Sequence, residues 1–241
     1  MEILGYNVFD EGITSIGSNE KRQIINTINP HSYIIATKDK VFTQALQESD
    51  ILLPDGSGIV FAASFLKKRK IRKISGFDLH KYLLEEMNKI DGRVFYLGAS
   101  EKCLELIKKR IDKEYPKIEV GVYSPLYKAQ FSESDNLLMI EKVNEFKPNI
   151  LFIGMTAPKQ EKWLHIHKDK LFFSTACSVG AVFDFYAGLV KRPSNFWIKL
   201  HLEWLIRFLK EPKRLWERNL VSTPLFVYAV VKEKVKIMRE R

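Results

Sequence analysis

One carboxylate in the sequence lies where a parallel sheet would place catalytic chemistry. Asp55 is part of the turn Asp55-Gly56-Ser57-Gly58, directly after the apolar run Ile51–Leu53. Residues that follow the strands of an open parallel sheet face the ligand crevice, and glycines there let a ligand approach the backbone closely. A carboxylate in that position can accept a proton from an attacking hydroxyl group. Asp55 is therefore a candidate general base, although an Asp-Gly pair is also typical of a plain turn.

A threonine and an asparagine end the first predicted strand. Thr27 and Asn29 lie at the end of the run Gln23–Ile28, before Pro30. Both side chains can hydrogen-bond a polar ligand. The alternative is that Asn29 or Ser32 caps the next helix, and taken alone this turn indicates the cap.

Three further turns combine glycine with groups that bind anions or sugars. Two of them open predicted helices, and backbone N–H groups at a helix start favour a phosphate or a carboxylate. A proline followed by lysine and glutamine would suit a nucleotide diphosphate or a sugar. In the third turn an aspartate lies in an apolar stretch, where it needs a partner. The candidate nucleotide-binding residues are Gly98, Ser100, Gly154, Pro158, Lys159, Gly180 and Asp184.

Several motifs that would indicate other chemistry are absent from the sequence. There is no Asp-x-Asp, HExxH, P-loop or Gly-x-Ser-x-Gly. Gly56 and Gly58 lack the third glycine of the dinucleotide fingerprint, because Phe61 occupies its position. Cys103 and Cys177 belong to no Cys/His cluster. We therefore expect no metal ion and no cofactor.

The turns need a sheet to position them, and the hydrophobic pattern predicts one. Short runs rich in β-branched and aromatic residues alternate with segments of helical period, such as 32–47 and 100–115. This alternation predicts an α/β fold: a largely parallel sheet with helices on both faces, followed by a C-terminal helical appendage. The predicted strands are Gln23–Ile28, Ile51–Leu53, Arg93–Leu97, Glu119–Tyr123, Asn149–Ile153 and Leu171–Ala176.

The last part of the chain differs from the rest in charge and aromatic content. We predict an α/β domain over residues 1–188 and an appendage over residues 189–241, with helices at 194–210, 213–219 and 224–239. The appendage holds 13 lysines and arginines against five glutamates, and so carries most of the net charge of +10. It also holds three of the four tryptophans. This composition indicates an anionic partner, either lipid or nucleic acid, with a solvated basic helix face as the plainer alternative.

The overall composition excludes several classes of protein. With 46% hydrophobic and 12% aromatic residues in 241, the chain can form a sizeable core, which excludes disorder as its main state. Two cysteines cannot build a disulfide framework, which fits a reduced intracellular setting. The N-terminal residues predict no signal peptide, and no stretch reaches the roughly 18 apolar residues that span a bilayer. We expect a cytoplasmic protein that meets a membrane only from its surface.

Six motifs, in order along the chain, make the sequence resemble one family of enzymes. From about residue 23 to about residue 220 it closely resembles the WecG/TagA/CpsF family of bacterial glycosyltransferases. The motifs are Thr27-x-Asn29, the run from Ser49 to Val60, Gly76-x-Asp78, Gly154-x-x-x-Pro158-Lys159-Gln160-Glu161-x-Trp163, Gly180-Ala181-x-Phe183-Asp184-Phe185-x-Ala187-Gly188 and Leu202-Glu203-Trp204-x-x-Arg207-x-x-x-Glu211-Pro212-x-Arg214.

The resemblance implies a Rossmann-like core and an inverting reaction without a divalent metal. It implies transfer of N-acetylmannosamine, or of its uronic acid, from UDP to N-acetylglucosamine on undecaprenyl diphosphate during synthesis of cell-surface polysaccharide. It also implies that the appendage completes the active site at the inner face of the cell membrane. A homo-oligomer in which chains share the appendage stays open.

The resemblance further assigns roles to particular residues. It implies that Asp55 is the general base, that Thr27 and Asn29 hold the sugar or acceptor, and that the appendage arginines stabilise the departing UDP. Lys73 replaces an arginine found in many relatives, which keeps the charge and loses bidentate geometry. Glu217 departs from the basic pair common in the family. The implied substrate-binding residues are Thr27, Asn29, Lys73, Asp78, Gln160, Arg207, Arg214 and Arg218.

Two other classes of protein stay open on the residues alone. A nicotinamide-dependent oxidoreductase would fit the predicted fold, but the dinucleotide fingerprint and its acidic ribose partner are missing. A nucleic-acid-binding protein would use the basic appendage, but no recognition module is present there. Both alternatives leave the carboxylate and amide side chains at the strand ends without a role. We therefore expect no nucleic acid among the partners.

Overall fold

The computed structural model of the protein describes residues 1–17, 22–191, 197 and 203–240. A short antiparallel hairpin precedes a six-stranded sheet in which all strands run parallel. The strands are β1 (Glu2–Ile3), β2 (Tyr6–Asn7), β3 (Gln23–Ile28), β4 (Ile51–Pro54), β5 (Arg93–Gly98), β6 (Glu119–Tyr123), β7 (Ile150–Gly154) and β8 (Thr175–Ser178).

The sheet has the order β4-β3-β8-β7-β5-β6, so β3 and β8, the first and last strands of the parallel sheet in the chain, are neighbours within it. Because every strand runs the same way, all six carboxyl ends lie along one edge of the sheet. The main helices are α1 (Pro30–Ala36), α2 (Lys40–Gln47), α3 (Ser57–Lys67), α4 (Gly76–Lys89), α5 (Glu101–Glu114), α6 (Glu133–Phe146), α7 (Lys159–His167), α8 (Val182–Tyr186), α9 (Glu203–Lys210), α10 (Pro212–Trp216) and α11 (Thr223–Arg239).

The central strands are apolar on both sides, as parallel strands between two helical layers must be. On β5, Val94 and Tyr96 belong to the core cluster formed with α4 and α5, whereas Phe95 and Leu97 belong to the cluster formed with α6 and α7. This alternation follows from the period of two residues along a strand. The predicted α/β class, with helices on both faces of a parallel sheet, is confirmed.

A third core cluster joins the two ends of the chain. The hairpin residues Ile3 and Tyr6 pack with α2, α3 and the last helix, α11, whose Phe226 and Val230 are 1% and 0% exposed. The Phe226 ring also meets Tyr33 of α1 edge-on, with centroids 5.4 Å apart. The sequence provided no prediction for the hairpin, because its two-residue strands are too short to show a periodicity.

Some element boundaries differ from the predictions. The single helix predicted over 32–47 is two helices, since Asp39 accepts a hydrogen bond from the Phe42 N–H at 3.0 Å and caps a new one. The last strand is Thr175–Ser178, not Leu171–Ala176. Leu171 and Phe173 are buried and Phe172 is exposed, which resembles a strand in the sequence, but pairing with β3 starts only at Thr175.

The appendage is helical over most of the residues that the structure describes in it. The predicted helix at 224–239 is confirmed as α11, and α9 covers the end of the helix predicted at 194–210, whose first part lies mostly outside the described residues. The helix predicted at 213–219 is instead α10 followed by a π-helical stretch, Glu217–Ser222. Wider turns of this kind occur frequently at functional sites.

A buried histidine in the core is expected to make the protein less stable in mild acid. His80 is fully buried beside Tyr96, whose hydroxyl lies 2.6 Å from Nε2, and burial lowers the pKa of His80 to about 3. The unfolded chain therefore takes up this proton first as the pH falls, and stability is lost from about pH 6.5 downwards. Between about pH 7 and pH 5 this loss is on the order of 2 kcal/mol.

The variant His80→Gln tests this contribution of His80 to the pH dependence of stability. Glutamine keeps a hydrogen-bonding group for Tyr96 and does not titrate. The free energy of unfolding of the variant in urea should therefore rise relative to that of the wild type by about 2 kcal/mol as the pH falls from 7 to 5. We compare how the free energy of unfolding changes with pH in the variant and in the wild type. A cost of the substitution that is the same at both pH values does not affect this comparison. An equal pH dependence in both proteins would contradict the assignment.

Candidate active site

A cavity of about 1140 Å³ runs along the carboxyl edge of the sheet. Turns after all six parallel strands contribute to its wall, as expected for a ligand crevice in an open α/β sheet. The residues predicted from the sequence that line it are Thr27, Asn29, Asp55, Gly98, Ser100, Gly154, Lys159, Gln160, Gly180, Asp184 and Arg218.

The Asp55 turn is tied to the neighbouring strand. The Asp55 backbone N–H donates a hydrogen bond to the Ile28 carbonyl at 2.9 Å, which joins the ends of β4 and β3. Gly56 has a φ of +105°, and a Cβ on Gly58 would lie 2.4 Å from Cγ of Pro30. The two glycines are thus needed for this turn to approach the start of α1. The Asp55 side chain is half-buried in the cavity wall.

Asn29 both caps a helix and borders the cavity. Its Oδ1 accepts hydrogen bonds from the backbone N–H groups of His31 and Ser32, each at 3.0 Å, and Ser32 Oγ accepts from the Asn29 N–H at 2.8 Å. The capping interpretation is therefore confirmed. Because the cap fixes the orientation of the amide, the group left for a ligand is Nδ2. Thr27, in register with Leu53, borders the same cavity.

Two glycines end neighbouring strands side by side. Gly98 and Gly154 are paired in the register of β5 and β7, and a Cβ on Gly98 would lie 2.5 Å from the Gly154 carbonyl oxygen. That carbonyl accepts a hydrogen bond from the Ala99 N–H at 3.1 Å. Ser100 then caps α5 by accepting from the Cys103 N–H at 3.3 Å. The turn therefore brings the start of a 14-residue helix to the cavity.

Gln160 and Glu161 are buried side by side in the cavity wall. Each is 3% exposed. Gln160 Oε1 accepts a hydrogen bond from the Met155 N–H at 3.1 Å, and its Nε2 donates to Glu161 Oε1 at 2.8 Å. The amide is therefore held in one orientation. Among the residues that the structure describes, Glu161 Oε2 has no hydrogen-bond partner, and burial raises the pKa of Glu161 to about 7.

Replacing Glu161 by glutamine is expected to change the pH dependence of stability in the opposite sense to His80. The folded state holds the Glu161 proton up to about pH 7 and the unfolded chain only up to about pH 4.5, so this stabilisation is present in acid and lost as the pH rises between these values. Between about pH 5 and pH 8, this group should lower the free energy of unfolding, measured in urea, by on the order of 2 kcal/mol. Glu161→Gln should remove that loss. A free energy of unfolding that depends on pH in the same way in the variant and in the wild type would contradict this prediction.

Lys159 is engaged by the loop that follows β6. Its ammonium lies 3.5 Å from the centroid of the Phe131 ring and donates a hydrogen bond to the Lys128 carbonyl. Burial lowers the pKa of Lys159. Residues 124–129 of the same loop line the cavity, including Leu126 and Tyr127, which are 74% and 100% exposed. The loop forms an outer wall with apolar side chains directed to solvent.

The appendage contributes to the cavity at its other end. Arg218 and Glu217 of the π-helical stretch border it, and His31 of α1 meets this stretch through a 2.8 Å contact between Nδ1 and Ser222 Oγ. Burial, and secondly the charge of Arg218, lower the pKa of His31, so the imidazole is neutral at pH 7. Arg207 and Arg214 were predicted to bind the substrate, and their side chains lie outside the described part of the structure.

Among the predicted site residues whose side chains the structure describes, three do not border the cavity. Asp78 closes a capping box at the start of α4, where its Oδ2 accepts from the Ser75 N–H and hydroxyl at 3.2 and 2.7 Å. Lys73 lies half-buried in the segment before that helix. Pro158 is the N-cap of α7, between the lining residues Ala157 and Lys159.

Sequence reasoning missed His31, Glu161 and the loop after β6 as parts of the site. Glu161 carried a signal, because a carboxylate three residues before the buried Leu164, and so on the same helix face, needs an explanation. The loop after β6 could have been found by the rule that locates the other turns. Nothing in the sequence near His31 indicates its contact with Ser222, which is 191 residues away.

The described residues contain no cluster of three histidine, cysteine, aspartate or glutamate side chains able to hold a metal ion. The starts of α5 and α7 both border the cavity and provide N–H groups and partial positive charge there. A search of the described helices for one long and apolar enough to cross a membrane finds none.

A carboxylate, capped helix starts and glycine turns around one cavity define an enzyme that works at the carboxyl edge of a Rossmann-like parallel sheet. Comparison with known proteins identifies which kind. The chain belongs to the Glycosyl transferase WecG/TagA/CpsF family, whose sequence pattern matches residues 4–240. It is a glycosyltransferase, which decides against the oxidoreductase and nucleic-acid-binding alternatives.

The names of curated relatives agree with this family assignment. A protein of Bacillus subtilis (strain 168) named N-acetylglucosaminyldiphosphoundecaprenol N-acetyl-beta-D-mannosaminyltransferase is 32% identical over 88% of this chain and 80% of its own length. Proteins of the same name from Bacillus spizizenii and Staphylococcus aureus (strain MW2) are 31% and 28% identical, over 92% and 96% of this chain and 83% and 89% of their own lengths.

Proposed function

We propose that this glycosyltransferase moves N-acetylmannosamine, or a related sugar such as its uronic acid, from a UDP-sugar to N-acetylglucosamine on undecaprenyl diphosphate. The observation that carries the proposal is one cavity with Asp55 and Asn29 at adjacent strand ends and helix starts along the rest of its wall. The names of the curated relatives support the acceptor and the transferred sugar. Synthesis of a cell-surface polysaccharide is the process that this reaction would serve.

In the proposed mechanism Asp55 is the general base. The hydroxyl group of the acceptor sugar attacks the anomeric carbon and passes its proton to the Asp55 carboxylate. A bond forms between the acceptor oxygen and the anomeric carbon while the bond to the UDP oxygen breaks, and UDP leaves with that electron pair. Attack from the side opposite UDP inverts the anomeric centre. Asn29 Nδ2 and the Thr27 hydroxyl would hold the sugar or acceptor beside the base.

The leaving UDP carries negative charge that the protein must stabilise if no divalent metal takes part. The starts of α5 and α7 provide backbone N–H groups and positive dipole ends at the cavity. Arg218 provides a full charge from the appendage, and Arg207 and Arg214 are proposed to add to it. The nucleotide would lie against Gly98, Ser100, Gly154, Lys159, Gly180 and Asp184.

We also propose that the appendage meets the inner face of the cell membrane, where a lipid-linked acceptor resides. The outer side of α11 exposes Tyr228, Val231, Val235 and Met238, which are 43% to 67% exposed and spaced three or four residues apart. Lysines flank this stripe, as in helices that lie in a membrane interface. The double variant Val231→Gln/Val235→Gln should sediment less with anionic vesicles, and equal sedimentation would contradict the contact.

Release of UDP tests the proposed reaction. Purified protein would receive UDP-N-acetylmannosamine and a short-chain polyprenyl diphosphate N-acetylglucosamine in detergent, with and without EDTA. We expect release that depends on the acceptor and survives EDTA. If this donor fails, a panel of UDP-sugars follows, and release with another sugar would correct the donor. If no donor of the panel leads to UDP release, and the protein does not bind UDP, the proposed substrates are wrong.

A further inference from the structure

A run of basic residues lies in the α/β part of the chain, away from the cavity. Six of the seven residues from Lys67 to Lys73 are lysine or arginine, beginning at the last residue of α3. The residues at positions 67–70 and Arg72 are exposed. Arg69 forms an ion pair with Asp10 at 3.1 Å, and none of the exposed residues of this run lines the cavity.

Two exposed phenylalanines lie on the same helix as the start of this run. Phe61 and Phe65 of α3 are 47% and 38% exposed, and their rings stack with centroids 5.5 Å apart at 17°. They are one helical turn apart, on the side of α3 opposite the buried Ala62, Ala63 and Leu66. Two aromatic rings kept at the surface beside a cluster of cations are the combination found at membrane interfaces.

This surface of α3 is continuous with the exposed stripe of α11. Lys234 of α11 donates a hydrogen bond to the Phe65 carbonyl at 2.8 Å, and its ammonium lies 5.5 Å from the Phe65 ring centroid. Val227 and Val231 lie seven and three residues before Lys234, so they share its side of α11. They are 42% and 44% exposed. The aromatic pair on α3 therefore extends the apolar stripe on α11 past Lys234.

We propose that the outer face of α3, with Phe61, Phe65 and the exposed basic residues of 67–72, is a second membrane-binding element that contacts anionic phospholipid headgroups. The α11 stripe and the α3 pair would enter the interface together, and the basic run would lie at headgroup level. The proposal rests on the proposed function, because a lipid-linked acceptor requires the enzyme to work at a bilayer.

Charge complementarity selects this partner. Each lysine or arginine near an anionic leaflet strengthens binding to it, and the rings add apolar burial that a purely electrostatic partner would not need. A nucleic-acid duplex would use the cations without the phenylalanines. A second copy of the chain would have to bring two surfaces of the same positive sign together.

Two variants of the full-length chain test the two halves of this surface. Phe61→Gln/Phe65→Gln removes the rings, and Lys67→Gln/Lys70→Gln/Arg72→Gln removes three charges. Their matched controls lie on the opposite edge of the sheet: Leu137→Gln/Leu138→Gln on α6, which are 55% and 40% exposed, and Lys108→Gln/Lys109→Gln/Lys113→Gln on α5. Binding is measured by sedimentation with vesicles of phosphatidylglycerol and phosphatidylcholine, and with phosphatidylcholine alone.

We expect both α3 variants to lower partition onto the anionic vesicles about tenfold or more, and both controls to bind like the wild type. All five proteins should release UDP at equal rates with the short-chain acceptor in detergent, where no bilayer is needed. Vesicle binding by the α3 variants equal to the wild type would overturn the proposal. A dimer in sedimentation velocity that is lost only in the phenylalanine variant would also overturn it. So would displacement of the vesicles from the wild-type protein by RNA.

These readouts separate the two proposals. If the wild type releases no UDP from any donor but the α3 variants still lose vesicle binding, the proposed substrates fail and the membrane surface stands. If UDP release proceeds as expected and vesicle binding is unchanged in the α3 variants, the membrane surface fails and the proposed substrates stand.

Discussion

Replacing Asp55 by asparagine is expected to reduce the rate of UDP release by two to four orders of magnitude, the usual contribution of a placed general base. Asparagine has the same size and keeps the backbone N–H that donates to the Ile28 carbonyl, so the turn at the end of β4 should survive. Its amide cannot accept the proton of the acceptor hydroxyl. The loss should therefore appear in kcat, with binding of UDP close to that of the wild type.

A carboxylate at the other end of the same strand provides the control. Asp50 precedes β4 and its Oδ2 accepts a hydrogen bond from the Ile24 N–H at 2.7 Å, far from the cavity wall. Asp50→Asn should leave kcat within a few-fold of the wild type. Equal loss in both variants would indicate a general structural effect. Retention of activity in Asp55→Asn would assign the base to another residue.

Replacing Gly98 by alanine is expected to destabilise the protein by about 3 kcal/mol. The new methyl group would lie 2.5 Å from the Gly154 carbonyl oxygen, and the φ of +113° is one that L-residues rarely adopt. Because that carbonyl accepts the Ala99 N–H and both strands are paired along their length, neither partner can move away without breaking the sheet edge. Urea unfolding at neutral pH measures the loss.

Gly188 separates the steric part of this cost from the backbone part. It also has a positive φ, +77°, but a Cβ there would meet nothing within 4 Å in the described residues. Gly188→Ala should therefore cost only about 1 kcal/mol, the penalty for the left-handed conformation. If the two variants lost equal stability, the close contact between Gly98 and Gly154 would be absent in solution.

The sequence by itself determined the fold class, most strands and the position of the candidate base. These are local properties: apolar runs of four to six residues predict strands, and a residue such as Asp55 that follows a strand must lie at the carboxyl edge. The likeness of the motifs to one enzyme family was also readable along the chain. The cap signal at Asn29 was read correctly for the same reason, since a cap involves residues at most three apart.

Only the tertiary structure decided which of these residues meet. It brought Arg218 and His31 to the same cavity, put Asp78 and Lys73 outside its wall, and placed Lys234 against Phe65 of α3. It also buried Glu161 beside Gln160, which the polar appearance of that helix start concealed. Such contacts join segments far apart in the chain, and periodicity, capping and turn preferences act over a few residues only. The order of strands and the packing of α11 on α1 and α3 result from burying all the apolar faces at once, which no local pattern records.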